Sequence, residues 1–411
     1  MNSFKIKNLP GPLLALLILT GLGSCKKYNS EGFTPGTGAP AITSVHTLSK
    51  GDTALIALYA TTLDASGNST IINVGSIQNS HPFDSVTNAG YLGNYYVLHG
   101  SNLGSATKIT FNGTISYFNR ALSTDNTIIV AVPGLTPYFG PKATDSLVVT
   151  TLYGTAYYKF TIIPPPPTPI TYSNYNFSAG SQITMTGVGF GAVTGVKLVN
   201  LPLTDSATLT IVNQNDSVIT IQFPSTTMIE GFLKFNYSAA GAPAAAITTQ
   251  SFVDRDNAYI IFDDNYANSW EDGSWHHPSG PSTTQVKSGT TSFMATFPAG
   301  QWQIESFQNW YPSLPYTADY KYVSFWVKGG TVNHILNLQT NTSSTGFGQN
   351  GSNPITVPAN VWTYFKLPIS GINTIDFWTS GKTLQQLGFF LKGQGGDVDE
   401  TYYFDDVMLV K

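Results

Sequence analysis

Short runs in which apolar and polar residues alternate recur along most of the chain, separated by Gly, Asn, Asp and Ser. A period of two places successive side chains on opposite faces of an extended strand, so each run predicts a strand and each separator a turn. Tyr95-Tyr96-Val97-Leu98-His99-Gly100 and Lys108-Ile109-Thr110-Phe111-Asn112-Gly113 are two such units; residues 146–151 and 157–161 make two more. The segment from Ile42 to Asp84 has Thr- and Ser-rich strand-like pieces and is the least readable. With 39 Gly and 24 Pro, every stretch long enough for an extended helix is interrupted. The pattern predicts an all-β protein of several domains.

One pattern occurs twice. Residues 181–191 (SQITMTGVGFG) parallel residues 94–104 (NYYVLHGSNLG): an alternating strand, a Gly, three residues, a second Gly, then another strand. Between the copies, residues 164–169 (PPPPTP) favour an extended polyproline conformation and predict a semi-rigid spacer. The two copies resemble the IPT/TIG immunoglobulin-like module, whose strand, G-x-x-x-G turn and second strand ending near F-N-G appear here up to Phe111-Asn112-Gly113. The second copy departs from it, with Leu198-Val199-Asn200 at that ending. The resemblance implies two small β-sandwiches, at 41–163 and 170–253, that serve as spacers or interaction domains.

From 254 to 411 the composition changes. All seven tryptophans lie in this block, among seven or so strand-like runs that predict a larger β-sandwich or jelly roll. Aromatic residues make up 13% of the chain and charged residues 10%, against about 25% charged in an average soluble protein. A formal net charge of −4 with no basic block excludes nucleic acid as a partner. The aromatic content argues equally against disorder.

The N-terminus predicts export. Lys5 and Lys7 precede an apolar run from Leu13 to Leu19, too short to span a bilayer, followed by Leu22-Gly23-Ser24-Cys25. That tetrapeptide resembles the lipobox of bacterial lipoproteins, which implies a signal peptide at 1–24 and lipidation of Cys25, the one cysteine in the chain. Residues 25–40, rich in Gly, Ser, Thr and Pro, read as a flexible tether.

Large aromatic side chains beyond the needs of a core point to binding. Sugars present flat C–H patches edged by hydroxyls; an indole covers the patch while Asn, Gln and Asp pair the hydroxyls. Trp302 and Trp310 bracket a stretch with interleaved Gln and Asn, the most ligand-like segment in the sequence. Trp275 and Trp378 sit in loop-like stretches and are further platform candidates. If Val323 and Phe325 face a core, Trp326, Asn337 and Gln339 are expected to share an outer sheet face; the alternative is that Trp326 fills a second core. Trp362 reads as core, and Trp270 has no clear placement.

Catalysis finds less support. Glycoside hydrolysis needs two carboxyls about 5–10 Å apart; Glu271, Asp272, Glu305, Asp399 and Glu400 form no recognisable pair and read as surface. No hydrolase, zinc-protease or P-loop signature occurs. The sequence implies no cofactor, with a structural calcium at Asp263-Asp264 and Asp405-Asp406 as the alternative. His276-His277 reads as a solvated loop.

Taken together, lipobox, tether, two modules, proline spacer and Trp-rich sandwich resemble the surface glycan-binding lipoproteins of polysaccharide-utilisation systems, and the last domain resembles the xyloglucan-binding domain of surface glycan-binding protein B. The resemblance implies a non-enzymatic, lipid-anchored protein of the outer membrane. On the cell surface it would capture a neutral plant-type polysaccharide such as xyloglucan, beside a transporter and glycan-degrading enzymes. The alternatives are a glycoside hydrolase or lyase with an unfamiliar site, and a structural adhesin that binds protein through its IPT/TIG-like modules.

Overall fold

The computed structural model describes residues 34–411 except 64–68, 202, 276–277, 302, 343–345, 349–352, 370–376 and 392–397, and for 51–80 the backbone alone. Cys25 with its lipobox, His276-His277 and Trp302 therefore lie outside the described residues. Among those described, every regular element is a strand apart from two single-turn 3-10 helices, Arg120–Leu122 and Phe190–Ala192. None of the helices is long and apolar enough to cross a membrane. The fold is all-β.

The chain divides into two compact units, the first ending at Ile163 and the second beginning at Pro164. In the first, a three-stranded sheet (Ala41–Thr47, Tyr95–Ser101, Thr127–Ala131) and a four-stranded sheet (Gly154–Lys159, Ser146–Thr151, Ala106–Phe111, Thr114–Ser116) supply one core. Alternation sets it up: Tyr96 and Leu98 turn inward from their strand to join Ile109, Phe111, Ile128, Val130, Leu147 and Val149. The least readable segment contains a long antiparallel hairpin, Ser49–Leu63 with Ser69–Pro82. Thr- and Ser-rich strands carry little apolar alternation, so the strand-like pieces could be seen in the sequence but their pairing could not.

The second unit opens with the repeated pattern, and matching hydrogen bonds establish the repeat. A Cβ on Gly100 would lie 1.9 Å from the Ala41 carbonyl oxygen, and one on Gly187 2.2 Å from that of Thr168. Glycine at both positions lets the first strand of each module pass close by. The Gly100 and Gly187 amides donate to the carbonyls of Asn126 and Ser217, each at 2.9 Å. Three to four residues later, Leu103 and Phe190 are buried, and the amides of Gly104 and Gly191 donate to the carboxylates of Asp125 and Asp216. Thr168 and Pro169, read from the sequence as spacer, open the strand Thr168–Tyr172, which pairs with Gln182–Val188.

The Trp-rich block is a sandwich. Its first sheet runs Ser279–Ser282, Ser292–Phe297, Glu400–Val410, Tyr322–Lys328, Trp362–Pro368, with Tyr259–Phe262 also paired to Glu400–Val410. The second runs Glu271–Asp272, Ile304–Gln308, Gln386–Leu391, His334–Thr340, Pro354–Val357. Phe293, Phe325, Phe404, Phe307, Leu338 and Phe389 meet between them.

The outer face of the first sheet packs on the preceding module. Along Tyr322–Lys328, Val323, Phe325 and Val327 enter the core while Ser324 and Trp326 face the other way and are also buried. Trp326, 4% exposed, stacks on Tyr175 at 5.6 Å between ring centroids, and its Nε1 donates to Asn174 Oδ1 at 3.1 Å. Tyr364 donates to Asn176, Lys366 is ion-paired with Glu230, and Val253 packs with Met408 and Val410. Both faces of this sheet are therefore covered.

Candidate functional site

The outer face of the second sheet is where polar residues gather. Its register aligns Ile304 with Phe390 and Asn337, Ser306 with Gly388 and Gln339, and Gln308 with Gln386. Period two sends these residues away from the core, while their neighbours Phe307, Leu338, Leu387 and Phe389 point into it. Asn337 and Gln339 thus lie on an outer face as expected. Trp326 does not share it, because it belongs to the opposite sheet and faces the opposite way.

Asn337 and Gln339 are nevertheless fully buried, which removes them from the directly accessible surface. Residues from the connection after His334–Thr340 cover them. The Gly348 amide donates to Gln339 Oε1 at 2.6 Å, and Asn353 exchanges bonds with the Leu338 backbone. Phe347 lies over Gly388, where a Cβ would come 2.7 Å from its ring. Gln339 Nε2 and Ser306 Oγ, on either side of Gly388, are buried with no hydrogen-bond partner among the described residues. Two donors without partners in one place are costly unless something pairs them.

Exposed aromatic residues border this face. Trp275 is anchored by its amide to the Ile304 carbonyl at 2.9 Å, meets Phe347 edge-on at 5.7 Å, and is 40% exposed. Trp310, just past the end of Ile304–Gln308, is 52% exposed. Its Nε1 donates to Gln308 Oε1 at 2.9 Å, and Gln308 Nε2 donates to Glu271 Oε1 at 3.0 Å. Tyr311 is 89% exposed. The result is an edge of indole and phenol rings with an ordered amide and carboxylate between them, offering apolar faces beside donors and acceptors. Tyr311, Phe347, Gln308 and Glu271 were not singled out in the sequence; the Gln/Asn interleaving around Trp310 was the signal that could have found Gln308.

Trp378 and Trp270 are core residues. Trp378, expected as a loop platform, is 1% exposed, packed edge-on against Tyr316 at 5.3 Å. Its Nε1 donates to the Lys382 carbonyl, so the loop turns its own indole into the core. Trp270 is buried against Tyr259. Trp362, expected in the core, is half-buried at the start of its strand.

Two acids expected at the surface are buried. Glu400 accepts from the Thr331 hydroxyl and amide. Glu305 shares the core-facing side of its strand with Phe307, and neither of its carboxyl oxygens has a partner among the described residues. Burial, with a smaller push from Asp272, raises its pKa well above the ordinary range. Such a group stabilises the fold below the unfolded pKa of about 4.3, and that contribution is lost as pH rises toward the folded value. Glu305→Gln is therefore expected to leave the melting temperature unchanged near pH 4 and to raise it at pH 8. Melts across that range check it; equal effects at both ends would contradict the assignment. A carboxyl turned into the core cannot reach a glycosidic bond on the outer face.

Asp263, Asp405 and Asp406 bring carboxylate oxygens within 4.8 Å of one another. Arg255 is ion-paired with Asp263, the amides of Lys287 and Ser288 donate to Asp405, and Asn174 and Asn176 donate to Asp406. Burial pushes Asp405 up to about 7, against those amide bonds. Asp406 Oδ1 is buried without a partner among the described residues, while at the other, bonded oxygens a calcium ion would compete with these groups.

No protein-family model and no curated protein matches the sequence. Among solved structures, the chain is similar to the surface glycan-binding protein PbSGBP-B from Prevotella bryantii, with 18% identity, 92% of this chain and 99% of that chain covered, and a TM-score of 0.47. A surface glycan-binding protein B from a complex xyloglucan utilization locus in Bacteroides uniformis gives 14% identity, 91% and 99% coverage, and a TM-score of 0.32. The family 11 carbohydrate-binding module of Clostridium thermocellum, in complex with a β-1,3-1,4-mixed-linked tetrasaccharide, gives 16% identity, 37% and 95% coverage, and a TM-score of 0.26.

Proposed function

We propose that this protein is a non-catalytic cell-surface lipoprotein that captures a neutral plant-type polysaccharide, such as xyloglucan, on the outer face of the second sheet of its C-terminal sandwich. The observation that carries the reading is the exposed edge made by Trp275, Trp310 and Tyr311, with Gln308 and Glu271 ordered between the rings. A polymer without charge needs such rings and amides, and the scarcity of charged residues agrees with it. Acylation of Cys25 would tether the sandwich to the outer membrane, where a transporter and degrading enzymes take over the captured chain.

Native gels containing xyloglucan, mixed-linkage β-glucan or other polysaccharides, with reducing-sugar release assayed alongside, test the proposal. Retardation without release is expected; release of sugar, or migration unchanged by every polymer, would refute it. Cys25→Ser is expected to move the protein from the membrane fraction to the soluble one with glycan retardation intact. Because Arg255 and backbone amides already serve the aspartate cluster, EDTA is expected to change neither melting nor retardation.

A further inference from the structure

Where the sandwich packs on the preceding module, the contact leaves a cleft of about 600 Å³ beside the buried Trp326. That volume lies within the usual range for small-ligand sites, about 300–1,000 Å³. Tyr172, Trp326, Trp362 and Tyr364 line it from both modules, together with the amide of Gln250 and the ammonium of Lys287. Tyr172 and Trp362 are half-buried, so their rings are not consumed by the packing that hides Trp326. Tyr172 is held at 4.8 Å from Tyr175, which stacks on Trp326 and lies 4.9 Å from Tyr364, giving a continuous aromatic wall. Lys287 sits over the Trp326 ring, 4.1 Å from its centroid.

We infer that this cleft is a second glycan-binding site, taking a short stretch of neutral sugar chain. The chemistry repeats that of the exposed edge: rings for C–H faces, with an amide for hydroxyls. Charge selects the ligand class. The cleft-lining residues include no carboxylate, and their one ammonium, that of Lys287, sits against the Trp326 ring, which leaves rings and an amide to meet a sugar chain. Its wall belongs to the first sheet and the proposed capture edge to the second, so the two sites lie on opposite faces of one sandwich. A long polymer engaging both sites, or two chains held at once, would bind with an avidity that neither site has alone.

The inference rests on the capture reading, and one experiment separates the two. The full-length chain is titrated calorimetrically with xylogluco-oligosaccharide and, separately, with a β-1,3-1,4-mixed-linkage tetrasaccharide. Two sites per chain are expected with at least one probe. The Trp275→Ala/Trp310→Ala double variant should keep one of them, and adding Trp362→Ala should weaken that remaining site at least tenfold. Gln250→Ala, which removes no buried ring, should weaken it several-fold without lowering the melting temperature, so a folding defect in the Trp362 variant cannot mimic the result. A single site that disappears in the double variant overturns the cleft and leaves the capture edge standing. Absence of binding to either probe and to every polysaccharide overturns both.

Discussion

Trp275→Ala and Trp310→Ala are each expected to weaken polysaccharide binding at the exposed edge by roughly 5- to 150-fold. The scale is borrowed from bases stacked on aromatic side chains, where truncating a ring costs about 1–3 kcal/mol, and about 1.4 kcal/mol is tenfold in affinity. The two rings belong to different segments, and Trp310 is bonded to Gln308 rather than to Trp275, so the double variant should lose close to the sum. Stability should stay within about 0.5 kcal/mol for Trp310, which is half in solvent. Trp275 touches Phe347 and should cost somewhat more. Calorimetric titration beside thermal melts checks both quantities. Full affinity in the double variant would show that the edge does not contact the ligand.

Much of the fold was legible because it depends on local pattern. Alternation marked the strands. The glycines at 100, 104, 187 and 191 marked the repeat, because both copies need the same close approach and the same amide-to-aspartate bond. Trp310 was legible for a similar reason, although Gln308 beside it was not singled out: a polar-aromatic run at a strand end has few apolar neighbours to pack against. Alternation assigns residues to faces, but it cannot say which sheet a strand joins or what covers a face. Hence Trp326 was grouped with Asn337 and Gln339, although the two strands belong to different sheets. Each of their outer faces is covered by chain distant in sequence or folded back over it. Glu305 shows the same limit from the other side, since a lone acid between Ile304 and Ser306 gives no hint that its face points into a core.

These coverings also limit how the chain can be divided. The sandwich from 254 onward leans on the preceding module through Trp326, Tyr364, Met408 and Val410, with Asn174 and Asn176 reaching Asp406. Cutting between them would expose an aromatic face and leave a buried carboxylate without two of its donors, a loss of a kind that commonly costs about 1–3 kcal/mol per group. The compact unit that begins at Pro164 keeps that face covered.

Trp378→Ala should have the largest effect on stability while leaving the binding edge chemically intact. Trp378 is among the largest fully buried side chains, and its removal opens a cavity next to Tyr316 and the core shared by the two sheets. Emptying such sites costs about 3–5 kcal/mol. For a cooperative unit of 150–250 residues, where 1 kcal/mol moves the midpoint by about 2–4 °C, the melting temperature should fall by roughly 6–20 °C. The indole also bonds the Lys382 carbonyl, so truncation loosens the loop that carries it. Below the new midpoint, each folded molecule should bind polysaccharide as tightly as the parent, because none of the exposed rings at the edge touches this site. Melting measured with and without saturating polysaccharide separates the roles. A stable Trp378→Ala protein that has lost affinity would place this indole on the ligand instead of in the core.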